Sequence, residues 1–364
     1  MSKIKNYFKN EQSHNLIASL LAVAIGLVFG FIVILAIKPQ FVLSAFALIL
    51  KGGLHDGLRG IGNVLFNATP IIMTGLSVGF AFRTGLFNIG VTGQFTVGAF
   101  TAIYVGVNWT FLPPGFGWIV GIVLGALAGA IWGLVVGALK AYRNVNEVIS
   151  SIMMNYIAVY LVNFLIMRTA FDAQYSRTLP PKNAYLPRMG LDTIFPNSSL
   201  NIGIIIAIIS AIVLYIVLEK TTFGYELRAV GFNRHASRYA GINETRSIIL
   251  SMMIAGGLAG LGGALMYLSD VGIYMTTLYG LLKEGFDGIA VALLGQNNPI
   301  GIIFSGLFIS QITYGGNNLQ LFRLEPEIIQ VITSAIIYIS ALTVFLRGVI
   351  GKLTRDKKSG GKES

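Results

Sequence analysis

The chain contains no cysteine, and its three histidines, His14, His55 and His235, lack the close pairing that a metal centre uses. Disulfide frameworks, thiol nucleophiles and Cys/His zinc sites are excluded, and metal catalysis has no ligand set to rest on. Charge is equally scarce: 11% of the 364 residues are Asp, Glu, Lys or Arg, against about 25% in an ordinary soluble domain. No G-x-x-x-x-G-K-[ST] run that would cradle a nucleotide phosphate occurs, and no Ser/His/Asp arrangement can be argued. The expectation is a chain with no catalytic residue, no metal and no cofactor of its own.

Apolar residues fill the space instead, at 54% of the sequence. The run 16–37 is about 22 residues, enough to span a hydrocarbon core of about 30 Å and too long for a signal-peptide core. Nine further candidate spans follow at 61–82, 86–107, 116–139, 148–167, 202–218, 248–268, 286–295, 300–314 and 328–346. The fold class is therefore an all-α polytopic membrane protein with about ten transmembrane helices. Between the eighth and ninth spans, Gln296-Asn297-Asn298-Pro299 reads either as a loop or as a kink in one helix, and charge parity favours the loop. With ten spans and a cytoplasmic N-terminus, the cytoplasmic segments hold 17 of the 26 Lys/Arg and 7 of the 15 Asp/Glu, a net +10 inside and +1 outside. Orientation thus accounts for the overall +11, and no nucleic-acid partner is needed. The layout that follows is a cytoplasmic segment at 1–15, a membrane domain at 16–346 with an external loop at 168–201 and a cytoplasmic loop at 219–247, and a basic cytoplasmic tail at 347–364 suited to anionic lipid.

Helix packing is legible in the glycines. Gly117, Gly121, Gly125, Gly129, Gly133 and Gly137 recur every four residues, which makes one face of the fourth span a groove that another backbone can enter. Gly256, Gly257, Gly260, Gly262 and Gly263 repeat the theme in the seventh; without a preceding strand or a lysine they read as packing rather than as a phosphate loop.

Neutral polar residues inside the spans are where a solute path would run. Counted from Thr84, Gln94 lies roughly 15 Å into its span, near the midplane, with Asn88 shallower. Asn67 and Thr69, just before the helix-breaking Pro70, reach a similar depth from the other side, and Asn155 is about two turns into the fifth span. Such amides suit the hydrogen bonds of a sugar or a base, and they equally suit bonding between helices. The only acidic residue within the proposed spans is Asp287, so the relay of buried acids that an ion-coupled secondary carrier working alone would use is missing.

The polar stretch 219–247 carries five Lys/Arg. Asn233 is placed to cap a short helix and Gly241 to end it, which sets Arg234 and Arg238 on one face and Ala236 with Tyr239 or Ala240 on another. With Glu226 and Arg228 these residues read as a docking surface, against the plainer alternative of a basic connector.

Four separated motifs carry a family resemblance: 83–94 (RTGLFNIGVTGQ), 144–156 (NVNEVISSIMMNY), 231–242 (GFNRHASRYAGI) and 285–295 (GFDGIAVALLG). In this order they resemble permease subunits of bacterial ATP-binding-cassette importers of the ribose and branched-chain amino acid class, and the second and third resemble the nucleoside-importing branch. The resemblance runs from about residue 61 onward. It implies a fold like that of the large vitamin-type importers and inward passage of a small polar solute, a nucleoside foremost, across the inner membrane of a bacterial cell. It further implies a second permease subunit that is a related but different chain, ATP-hydrolysing subunits docked on 223–242 that alone use ATP, and an external lipid-anchored binding protein. Gln296-Asn297-Asn298 departs from the Gly-rich linker that the resemblance leads one to expect after Gly295.

Overall fold

Long apolar runs closed by polar caps build an almost wholly helical chain in the computed structural model, which describes residues 11–113, 115–277 and 280–341. Among the described residues, seven stretches are long and apolar enough to cross a membrane. Numbered in chain order, their helices are α1 (Glu11–Ile37), α3 (Gly57–Arg83), α5 (Gly117–Arg143), α6 (Glu147–Thr169), α8 (Gly203–Lys220), α11 (Glu244–Tyr267) and α13 (Pro299–Asn317). Shorter helices lie among them: α2 (Val42–Lys51), α4 (Val91–Asn108), α7 (Leu191–Ile194), α9 (Thr222–Phe232), α10 (Arg234–Tyr239), α12 (Lys283–Leu294) and α14 (Pro326–Ala341). Asparagine side chains start several of these helices by accepting otherwise unpartnered backbone N–H groups: Asn146 from Val148 (2.9 Å), Asn243 from Arg246 (3.0 Å) and Asn298 from Ile300 (2.9 Å).

Helix α3 is the axis of the bundle. Nearly every residue from Ala68 to Ala81 is buried, and α8, α11, α12 and α13 pack around it. The glycine faces do what their spacing predicts. A Cβ on Gly129 of α5 would collide with the carbonyl oxygen of Gly256 on α11, and one on Gly98 of α4 would collide with the Gly260 backbone. Three helices therefore approach at backbone distance, where close van der Waals contact replaces a hydrophobic drive that lipid does not supply.

Three local features depart from the sequence reading, and a fourth, the 296–299 break, follows it. Helix α2 fills the interval between the first two expected spans, and its Val42, Ala45, Leu48 and Ile49 are buried; too short to cross, it was invisible to a span-length criterion. Pro70 does not break α3, which runs through it as one helix of 27 residues. The proline leaves the Phe66 carbonyl without its intrahelical donor, which membrane helices tolerate inside a packed bundle, and Thr74 Oγ1 separately donates to the Pro70 carbonyl at 3.0 Å. Helix α4 starts at Val91 rather than at 86, because Gly85 turns the chain with φ 75° and 84–90 forms a non-helical reentry. The 296–299 break is a turn between two helices: Gln296 and Asn297 both take left-handed conformations (φ 57° and 55°), and Asn298 with Pro299 opens α13. The 347–364 tail, residues 1–10 of the N-terminal segment and the last five positions of the tenth span lie outside the described residues.

Candidate translocation and coupling sites

Of the five residues singled out for a solute path, the structure brings three together and satisfies them internally. Asn88 Nδ2 donates to Gln94 Oε1 at 2.8 Å and to Ser77 Oγ at 3.1 Å, and Gln94 Nε2 donates back to Asn88 Oδ1 at 3.1 Å. Both amides are fully buried. Asn155 from α6 accepts from the Gly93 N–H at 2.8 Å and donates to the Ile89 carbonyl at 3.0 Å, so it caps the start of α4 and pins the 84–90 reentry. Gln94 therefore sits in the first turn of α4, not at mid-helix, because the helix begins seven residues later than Thr84. Thr69 is buried and donates to Leu65 within its own helix at 3.0 Å. Asn67 differs: it is exposed on α3 and faces a cleft of about 150 Å³ between α3, α12 and α13.

The loop between α8 and α11 folds into two short helices. Thr221 caps α9 by accepting from Gly224 (3.1 Å), and Asn233 caps α10 by accepting from Ala236 (3.0 Å). Gly241, with φ 82°, ends α10 where the spacing predicts. Ser237 is the buried residue of α10, donating to the Asn233 carbonyl at 2.9 Å, while Tyr239 and Phe232 stand 95% exposed on either side of the α9–α10 elbow. Phe232 was not singled out from the sequence; an aromatic directly before an N-capping asparagine, in an otherwise polar loop, was the available signal. Tyr225, Ala229, Phe232 and Ala236 contribute to a groove of about 950 Å³ along the elbow.

Two of the three arginines read as part of the docking surface are paired within the chain. Arg234 Nε contacts Glu244 at 2.7 Å. Arg228 contacts Glu219 at 2.6 Å, and the same carboxylate also holds Arg83 at the end of α3. Arg238 and Glu226 remain exposed. The elbow is joined to the bundle a second time through glycine. A Cβ on Gly85 would lie 2.5 Å from the Gly231 Cα of α9, so neither position admits a side chain without moving α9. Beside it Thr84 and Ser251 of α11 share a buried hydroxyl hydrogen bond.

Three basic residues of the 168–201 loop are also used locally. Arg177 stacks on Tyr274 (3.8 Å) and Tyr175 (4.8 Å), Arg188 forms a two-pronged pair with Asp270 (both 3.1 Å), and Arg168 lies over Phe164 (4.5 Å). The loop is tied to the segment that follows α11 rather than left as a free basic surface.

A glycine-locked helical bundle with an aromatic-bearing elbow tethered at one end has the build of a multi-pass membrane permease. Residues 60–341 match the family described as branched-chain amino acid transport system / permease component, and the chain belongs to it. It is 38% identical to the guanosine ABC transporter permease protein NupP of Bacillus subtilis (strain 168), over 95% of this chain and 98% of that protein. It is 34% identical to the nucleoside ABC transporter permease protein NupB of Lactococcus lactis subsp. cremoris (strain MG1363), over 96% and 97%. Identity to the guanosine ABC transporter permease protein NupQ of Bacillus subtilis (strain 168) is 29%, over 81% and 93%. No solved structure matches the chain.

Proposed function

We propose that this chain is one of two different permease subunits of an ATP-binding-cassette importer and passes a nucleoside inward across the bacterial cell membrane. The observation that carries the reading is end-to-end similarity to permeases named for guanosine and nucleoside transport. A mixed pair of permeases is supported by the unequal match to two guanosine permease proteins of one organism, 38% against 29%. The chain itself binds no ATP. ATP is used by cytoplasmic subunits that dock on the α9–α10 elbow, where Phe232 and Tyr239 are exposed and the remaining polar groups are held in place by caps and ion pairs. A lipid-anchored binding protein delivers the solute from outside, and both termini are cytoplasmic.

The test is co-purification followed by reconstitution in lipid vesicles. ATPase subunits should accompany this chain, and guanosine should accumulate only with ATP and binding protein present. Guanosine-driven proton or sodium uptake by the chain alone would overturn the reading in favour of a secondary carrier.

A further inference from the structure

Buried polar groups inside a membrane protein sort by whether the protein satisfies them. Asn88, Gln94 and Asn155 have amide partners on neighbouring backbone or side chains, so the protein itself engages them. The cleft between α3, α12 and α13 is the opposite case. Asn67, Glu284, Asp287, Thr313 and Asn317 line it, and among the described residues no side chain of these five forms a hydrogen bond or ion pair within the chain. Asn67 lies about 15 Å along α3 from its Gly57 end, a depth at which an unpartnered amide facing lipid is costly. A water-filled path removes that cost.

We infer that this cleft is where the permease contacts its solute, and that it selects an uncharged, donor-rich molecule of the nucleoside class over its phosphorylated form; the nucleoside part rests on the function proposed above. The chemistry follows from the lining. Carboxylates only accept, so Glu284 and Asp287 match the hydroxyl pair of a ribose or the N–H edge of a purine. The amides of Asn67 and Asn317 supply both donors and acceptors to the remaining groups. Two carboxylates against the single ammonium of Lys283, which also lines the cleft, leave a net −1 that repels a phosphate. The cleft volume of about 150 Å³ suits one ring at a time, so the remainder of the molecule faces the open side of the cleft.

The natural absence of cysteine makes a direct test available in the full transporter. Asn67→Cys and Thr313→Cys should react with a membrane-impermeant thiol reagent, guanosine should slow that reaction, and guanosine monophosphate should not, while Asn155→Cys should stay unreactive. Absence of labelling at 67 and 313, or labelling indifferent to guanosine, overturns the assignment even if the complex transports. Asp287→Asn should raise the KM for guanosine by about tenfold or more while the complex still assembles; an unchanged KM counts against the cleft. Wild-type vesicles that take up no guanosine, yet show protection at 67 by another solute, would refute the nucleoside reading and leave the cleft as the path.

Discussion

Replacing Glu219 by Gln removes one carboxylate and leaves two guanidiniums, Arg83 at the end of α3 and Arg228 in α9, without the charge they share. Their side chains are 25% to 33% accessible, between the exposed pairs that contribute at most about 1 kcal/mol and the buried pairs whose breakage costs about 3–5 kcal/mol. A loss of about 2 kcal/mol in the coupling of α9 to α3 follows, equivalent to roughly 30-fold in the equilibrium that ties the elbow to the bundle. The bundle itself is held by the glycine contacts and the core, so the variant should assemble with its ATPase subunits. The assay is guanosine uptake and ATP hydrolysis measured on the same vesicles. Hydrolysis should persist while guanosine moved per ATP falls by about an order of magnitude. Arg228→Gln in the same background should add little, because the pair it belonged to is already broken. An unchanged ratio of transport to hydrolysis in Glu219→Gln would refute the claim that this carboxylate links the elbow to the membrane domain.

Tyr239→Ala and Phe232→Ala should each weaken capture of the ATPase subunits more than Arg234→Ala, by about 2 kcal/mol against less than 1, because exposed aromatics anchor interfaces and Arg234 is already paired with Glu244; equal effects by quantitative pull-down would contradict this. Ala236→Trp, which adds bulk to the same groove, should prevent docking or uncouple hydrolysis from uptake while leaving membrane insertion intact. Asn88→Ala and Gln94→Ala should each cost about 1 kcal/mol of stability in detergent melting, and the double variant should cost little more than either single, since either deletion already breaks the pair of bonds the two amides share. Gly129→Val should abolish folded protein altogether, seen as loss of the monodisperse peak in size-exclusion chromatography, because its side chain would occupy the space of the Gly256 carbonyl.

Much of the architecture could be read before any coordinates because membrane helices obey a length rule. An apolar stretch of about 20 residues has few alternatives to crossing, and a glycine every fourth residue has few alternatives to a backbone contact. Caps were equally legible, since Asn233 and Gly241 act through local chemistry. What the pattern did not reveal was pairing. Asn88 and Gln94 look alike whether they face a solute or each other, and only the reentry at 84–90, created by the positive φ of Gly85, folds one onto the other. Likewise Arg234 and Arg228 look like free charges until Glu244 and Glu219 are brought beside them by the turn of the elbow. Helix α2 was lost for a different reason, since at ten residues it falls below the length rule.

One helix connects the two proposed sites. Asn67 and Arg83 belong to α3, about 24 Å apart along its axis, with one in the cleft and the other in the ion cluster beneath the elbow. A movement of α9 and α10 reaches α3 through the shared carboxylate of Glu219 and through the Gly85–Gly231 contact, where no side chain intervenes to absorb it. Helix α3 is surrounded by α11, α12 and α13, so it has little freedom to bend away from the displacement and transmits it toward the cleft that α12 and α13 complete. The position best placed to yield is Pro70, which has no N–H to donate to the carbonyl of Phe66, so the helix lacks one backbone hydrogen bond there. It lies between the two sites, three residues from Asn67. Pro70→Ala should therefore stiffen α3 without disturbing either end: thermal stability should rise or hold, and guanosine moved per ATP should fall. If both stability and the transport ratio are unchanged in Pro70→Ala, α3 moves as a rigid rod and the give between elbow and cleft must reside in the α12–α13 turn instead.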